Sequence, residues 1–205
     1  VSVELPNHYS KLTGIENLTY FSSLYTGPTH NLKELLELVG LENDGEMLTS
    51  QSSNGMKNRL NVARSLVHNP ELLFMDEPTA GLDPVNARRI KDLILSQKQS
   101  GKTIFLTTHD MTVADELCDR LAFFVDGKIS LIDSPANLKL RYGKPEIKVE
   151  HQSNGEMEVE IFPLHGLAEN QKFQQVLQKN QIRTMHSQEA TLERIFIEVT
   201  GRKLV

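Results

Sequence analysis

The amino-acid sequence predicts an α/β fold, with a helical subdomain before it and a small α+β appendix after it. Three observations carry that expectation. Two short apolar runs, LLFM at 72–75 and TIFL at 103–106, alternate with helical patterns, the order of units built around a parallel sheet. Ahead of them, residues 11–69 hold three segments of helical periodicity. After Tyr142-Gly143 the texture changes to alternating apolar and polar residues. The expected organisation is residues 1–142, divided into 11–69 and 70–142, followed by a separate accessory domain over 143–205.

Each element has a local reason. VSVELP has an extended look before Pro6 and Asn7 break it. Thr13-Gly14-Ile15-Glu16 fits a capping box that opens a helix with Leu18, Phe21 and Tyr25 on one face. In NLKELLELVGL, Leu32, Leu35, Leu36 and Val39 line one side and Gly40 is the stop. A third helix begins near Ser53, with Met56, Leu60, Ala63 and Val67 on one face until Asn69-Pro70. Leu72–Met75 reads as a buried parallel strand. Asp83 caps the next helix, with Pro84 at its first position and Ala87, Ile90 and Ile94 inward. Gly101 closes that helix and TIFLTT is the next buried strand. A helix through Val113, Ala114 and Leu117 leads to RLAFFV, which Asp126-Gly127 joins to KISLI as a tight hairpin at the antiparallel edge of the sheet. In the appendix, IKVEH and EMEVEIF form a hairpin around Ser153-Asn154-Gly155. A polar helix near 167–180, a strand near 181–186 and TLERIFIEV, with Leu192, Ile195, Phe196 and Val199 inward, complete it.

Composition narrows the function classes. A net charge of −5 over 205 residues offers no basic face for nucleic acid, so no nucleic-acid partner is expected. One cysteine, Cys118, permits no internal disulfide and fits a reducing compartment. No run approaches the roughly eighteen apolar residues of a membrane span. A soluble cytoplasmic chain is the expectation.

SGKT at 100–103 imitates the tail of the phosphate-binding loop G-x-x-x-x-G-K-[ST]. Such a loop follows a strand and opens a helix, so that amides, helix N-terminus and lysine converge on phosphate. Here the order is inverted, and Ser96 stands where the first glycine belongs. The expected reading is a helix-closing glycine and an exposed lysine. The 205 residues contain no P-loop.

Nucleotide chemistry is nevertheless written elsewhere. In LLFMDEPTAGLDP, Asp76 and Glu77 sit at the C-terminal end of a strand, where α/β sheets bind ligands. An aspartate there can hold Mg2+, and a neighbouring glutamate can polarise an attacking water. His109 in TTHD ends the second strand, where an imidazole can reach a phosphate. The other six histidines show no metal-ligand spacing and are expected on the surface.

Taken together these strings resemble the ATP-binding cassette (ABC) family. LLFMDEPTAGLDP resembles its Walker B and D-loop, and TTHD its switch histidine. SSNGMKNRLNVARSLVHNPELL resembles the signature helix, with Ser53, Asn54 and Gly55 at the positions of the serine and two glycines. Ser52 stands for the usual leucine, Asn54 for the first glycine and Met56 for the glutamine. Asparagine tolerates a left-handed backbone, which would preserve the loop's shape. VELPNHYSKLTGIENLTYFSSLY resembles the segment after the Q-loop, with Glu4 in the glutamine's place. The tail TLERIFIEVTGRK is similar to the extension of drug- and antibiotic-exporter ATPases.

The resemblance covers roughly residues 1–140 and implies a partial P-loop NTPase fold with a helical signature subdomain. It implies an ATPase subunit of an exporter, peripheral on the cytoplasmic face of the membrane. Such a subunit couples ATP hydrolysis to a membrane permease and pairs with a second ATP-binding subunit. Asp76 would hold Mg2+. Glu77 would be the general base or the residue placing water, and His109 would contact the γ-phosphate. Ser53, Asn54 and Gly55 would complete the partner's ATP site, and Asp83 would communicate across the dimer. The family's P-loop and adenine-stacking aromatic lie before the Q-loop, hence before Val1. A piece of a longer protein is therefore expected, unable to hydrolyse ATP alone, poor at folding, with apolar strands at an open edge. A soluble ABC ATPase without a permease, or a non-catalytic module lending its signature face, are the other readings. The transported substrate is not legible.

Overall fold

The computed structural model describes every residue except 1, 3–6, 144, 154–155, 180, 189 and 202–205. It divides the chain into two units, Val1–Leu117 and Cys118–Val205. This division precedes the change of texture at Tyr142-Gly143, because the intervening hairpin and helix belong with the second unit.

In the first unit, helix α1 (Gly14–Ser23) is opened by the expected capping box. The Glu16 amide donates to Thr13 Oγ1 at 3.2 Å and the Thr13 amide to Glu16 Oε2 at 2.8 Å. Asn31 caps α2 (Leu32–Leu38), and Gly40 ends it at φ +70, a left-handed conformation that glycine adopts without steric cost. Ser53 caps α3 (Asn54–Leu66). This helix buries more than the single apolar face its periodicity predicts. Asn58, Arg59, Asn61 and Ser65 are buried beside Leu60, Val62, Ala63 and Leu66. The polar members find partners: Arg59 Nη1 donates to the carbonyls of Val39 and Gly40, at 3.0 and 2.6 Å. At the far end of α3, the Arg64 guanidinium lies over the Phe21 ring, 4.5 Å from its centroid.

Strand β1 (Leu72–Asp76) leads through a turn to α4 (Pro84–Gln99), then to β2 (Thr103–Thr107) and α5 (Met111–Leu117). β1 and β2 pair in parallel as expected, Leu72 opposite Thr103 and Asp76 opposite Thr107. Ser2 bridges to the other edge of β1, donating to Phe74 O at 2.8 Å and accepting from the Asp76 amide at 3.0 Å. The strands are not buried on both faces as their composition suggests. Leu73 and Met75 are sealed into the core, whereas Leu72, Phe74 and Phe105 are 49%, 43% and 58% exposed. Among the described residues only one face of this sheet is covered, by the helices that carry Leu60, Ala63, Ile90 and Ile94.

In the second unit, β3 (Leu121–Val125) and β4 (Lys128–Asp133) form the expected hairpin, with Asp126 at φ 51 and Gly127 at φ 73. They make a two-stranded sheet of their own and not the antiparallel edge of the β1–β2 sheet. A helix the sequence reading omitted follows: α6 (Pro135–Tyr142), capped by Ser134 with Pro135 at its first turn, packs on α8 (Leu192–Thr200). Between them, β5 (Glu146–Ser153), β6 (Glu156–Pro163) and β7 (Gln181–Gln188) form an antiparallel sheet in the order β6–β5–β7, with α7 (Gln171–Lys179) ahead of β7. Val149, Phe162, Phe173 and Val176 form its core. His151 is 1% exposed, against the expectation of surface histidines, because strand alternation places it on the face of Val149.

Asn17 is the buried polar hub of the helical part. Its oxygen accepts from the Tyr9 amide, and its Nδ2 donates to Thr13 O and Thr49 Oγ1, each at 2.9 Å. Replacing it by alanine strands several of these groups in the interior. Asn17→Ala is expected to destabilise the chain by about 2–4 kcal/mol, read as a lowered urea midpoint with unchanged slope.

Candidate active site

The site begins with strand register. Because Asp76 pairs with Thr107, β1 and β2 end together, and the residues that follow them meet. Thr107 Oγ1 donates a short hydrogen bond to Asp76 Oδ1. Glu77 turns out of the strand at φ 45, an uncommon conformation for a glutamate that costs on the order of 1–3 kcal/mol. The turn lets its amide donate to Thr107 O at 3.0 Å, while its carbonyl accepts from the Ala80 amide at 3.1 Å.

The Glu77 carboxylate is held at both oxygens. Oε1 accepts from the His109 amide at 2.7 Å and faces His109 Nδ1 at 2.7 Å, where a proton on Nδ1 completes a second bond. Oε2 accepts from Thr108 Oγ1 at 3.1 Å. The glutamate side chain is 13% exposed and the histidine side chain 72%. A shielded, oriented carboxylate thus carries an imidazole that projects into solvent. Asp76 and Thr107 add a carboxylate and a hydroxyl, an oxygen-only donor set that suits a hard divalent cation such as Mg2+.

The second group of candidates lies at the N-terminus of α3. Ser53 Oγ accepts from the Met56 amide at 3.2 Å as the N-cap. Asn54 and Gly55 are the first helical residues, so Asn54 makes no use of its left-handed tolerance. A side chain at Gly55 would meet Gly81 O and Leu82 Cδ2 at 3.4 Å, an ordinary van der Waals contact, so the 77–83 turn lies directly beside the start of the helix. Three residues on, Asn58 Nδ2 donates to Ala80 O at 2.9 Å. The helix and the 77–83 turn are therefore docked on one another, and through that turn to Glu77. Asp83 caps α4, accepting from the amides of Val85 and Asn86 at 3.0 and 3.1 Å. The Asn86 side chain, then its amide, hold the Asp83 carboxyl below the ordinary carboxylate range. Glu4 lies outside the described residues.

Thr107, Thr108 and Asn58 were missed by the sequence reading. The paired threonines before His109 were the available signal, since strand-end hydroxyls fall opposite Asp76 and Glu77 once β1 and β2 are aligned. Asn58 carries no such signal. SGKT behaves as read: Gly101 closes α4 at φ 88. Lys102, however, is half-buried and donates to Gln97 Oε1 at 2.5 Å. In the second unit, His151, Glu158 and Glu160 bring metal-ligand atoms together, but the Lys172 ammonium already pairs with Glu160.

Known proteins resemble this chain in sequence and in fold. Residues 7–115 match a family described as AAA domain, putative AbiEii toxin, Type IV TA system. Residues 146–189 match the fluoroquinolone efflux ABC transporter C-terminal domain. The chain is 54% identical over 205 residues to a fluoroquinolones export ATP-binding protein of Mycobacterium tuberculosis (strain H37Rv), covering all of this chain and 68% of that protein. It is 38% identical over 177 residues to ABC transporter A family member 8 of Arabidopsis thaliana, 82% of this chain and 19% of that one. Among solved structures, a dimeric ATP-binding cassette in a post-hydrolysis state with ADP and phosphate superposes with TM-score 0.56 at 28% identity, over 63% of this chain and 59% of that one. An ATP-binding subunit of an ABC transporter gives TM-score 0.61 at 25% identity, over 69% and 60%.

The Asp83 cap generates a pH test. Its folded pKa lies below the unfolded value of 3.8, so its contribution is present above 3.8 and is lost as pH falls through the lower folded value. Asp83→Asn keeps a capping oxygen without the titration. The stability advantage of wild type over this variant, measured by urea unfolding, is expected at neutral pH and should vanish in acid.

Proposed function

This chain belongs to the ATP-binding subunits of ABC exporters, a family of ATPases, and from that premise we propose that it powers drug export through a separate membrane permease. The reading is that fluoroquinolones are the cargo, and that their recognition resides in the permease. The match of residues 146–189 to a fluoroquinolone efflux domain supports this. In this reading the chain works against a second ATP-binding subunit, bound to the cytoplasmic face of the membrane through the permease. No helix among the described residues is long and apolar enough to cross a membrane.

The observation that carries the catalytic assignment is the hydrogen-bonded pair Glu77 and His109, with Asp76 held by Thr107 beside it, at the common end of β1 and β2. Asp76, aided by Thr107, would hold Mg2+, which when bound neutralises charge on phosphate oxygens. Glu77 orients the attacking water and accepts its proton as the water oxygen bonds to the γ-phosphorus and the bond from that phosphorus to the β–γ bridging oxygen breaks, with ADP as the leaving group. Its carboxylate is already fixed, so little reorganisation opposes the step. His109 is fastened at Nδ1, and with both ring nitrogens protonated its Nε2–H would donate to the γ-phosphate. Ser53, with the amides of Asn54 and Gly55 at the N-terminus of α3, offers donors to the ATP of the partner subunit. Asp83, exposed at the cap of α4, stands at the end of the turn that joins the two groups.

Glu77→Gln in the full natural protein is the direct test. Steady-state ATPase turnover should fall about a hundredfold or more, while ATP binding, measured by equilibrium dialysis, persists. Unchanged turnover would sink the assignment.

A further inference from the structure

We propose that Thr108 is a positioning residue for catalysis, fixing the plane of the Glu77 carboxylate through a hydrogen bond to Oε2. The inference rests on the reading of Glu77 as the water-orienting group. Of the contacts to Glu77, the amide of His109 and its Nδ1 both fall on Oε1. Two donors converging on one oxygen leave the carboxylate able to swivel about that point. Thr108 Oγ1 reaches the other oxygen at 3.1 Å and closes that freedom.

The direction of the hydroxyl proton is set by its second partner. Thr108 Oγ1 accepts from the Asp110 amide at 3.1 Å, and an oxygen with one lone pair so engaged turns its own hydrogen toward the carboxylate. Asp110 is itself anchored, its Oδ1 accepting from the amides of Thr112 and Val113 at 2.8 and 3.3 Å. One hydroxyl thus ties the carboxylate to the start of α5. Thr108 is only partly buried, so packing alone does not require a threonine there.

A capping role alone would make Thr108 important for stability and indifferent to chemistry, and the test separates these. In the full natural protein, Thr108→Val should lower kcat for ATP about tenfold, the value of a lost hydrogen bond to a charged group, with KM for ATP unchanged. Thr108→Ser, which keeps the hydroxyl, should restore kcat to within about twofold of wild type. On a Glu77→Ala background, Thr108→Val should produce no further loss, since nothing remains to be oriented. Thr108→Ala serves if the valine variant folds poorly, with thermal unfolding recorded for each protein. Wild-type kcat in the valine or alanine variant overturns the inference. So does an equal loss in the serine variant, or a full additional loss on the Glu77→Ala background. If Glu77→Gln itself leaves turnover intact, the reading of Glu77 fails first, an outcome visible before any Thr108 variant is made.

Discussion

Everything at the candidate site depends on the register of two parallel strands. Asp76 opposite Thr107 is the last rung of the ladder, and the next amide, that of Glu77, still finds Thr107 O. A slip of one residue would reverse which side chains face which layer. It would carry Leu73 and Met75 out of the core and separate Asp76 from the threonine that donates to it. The burial of Leu73 and Met75, with Ile104 and Leu106 partly buried beside them, therefore sets the positions of the carboxylates. Hydrophobic packing fixes the coordinate frame, and the short polar contacts at the strand ends complete it.

The same frame extends to the signature-like helix through buried polar side chains that each make at least one hydrogen bond, while Asn58 Oδ1 and Arg59 Nε stay unpaired among the described residues. α3 is wrapped on most sides, and its interior polar residues act as pins: Arg59 to the end of α2, Asn61 to Ser2, Asn58 to the 77–83 turn. A buried amide or guanidinium is tolerable only with its partners in place. These contacts therefore specify one arrangement of helix and turn and disfavour neighbouring ones. The left-handed Gly81, at φ 69, shapes the turn that lies beside the start of the helix.

Much of this was legible in the sequence wherever the physics is local. Thr13 and Asp83 read correctly as caps, and Ser53 as the start of a helix, because a cap needs only the next three residues. Asp126-Gly127 read correctly as a hairpin for the same reason. The Asp76–Glu77 pair and His109 were recognisable from their place after apolar strands. What was misjudged depends on how layers stack. Leu72 and Phe74 have the composition of a strand buried twice over, yet only one side of their sheet is covered among the described residues. The burial of His151, the standing of β3–β4 as its own sheet, and the bond from Asn58 to Ala80 all require partners distant in sequence. α6 was missed although Ser134-Pro135 announces it, since its eight residues carry little periodicity.

The stacking of Arg64 on Phe21 has a mechanical side. α3 runs for 13 residues, a rod of about 20 Å, with Ser53 at one tip and Arg64 close to the other. A hydrogen-bonded helix resists bending far more than a loop does, and this one is clamped along its length. Phe21 and Ser53 are therefore connected by one stiff element and not by a succession of loops. The aromatic contact at Phe21 and the cap at Ser53 thus share one rigid frame, so the position of one fixes that of the other.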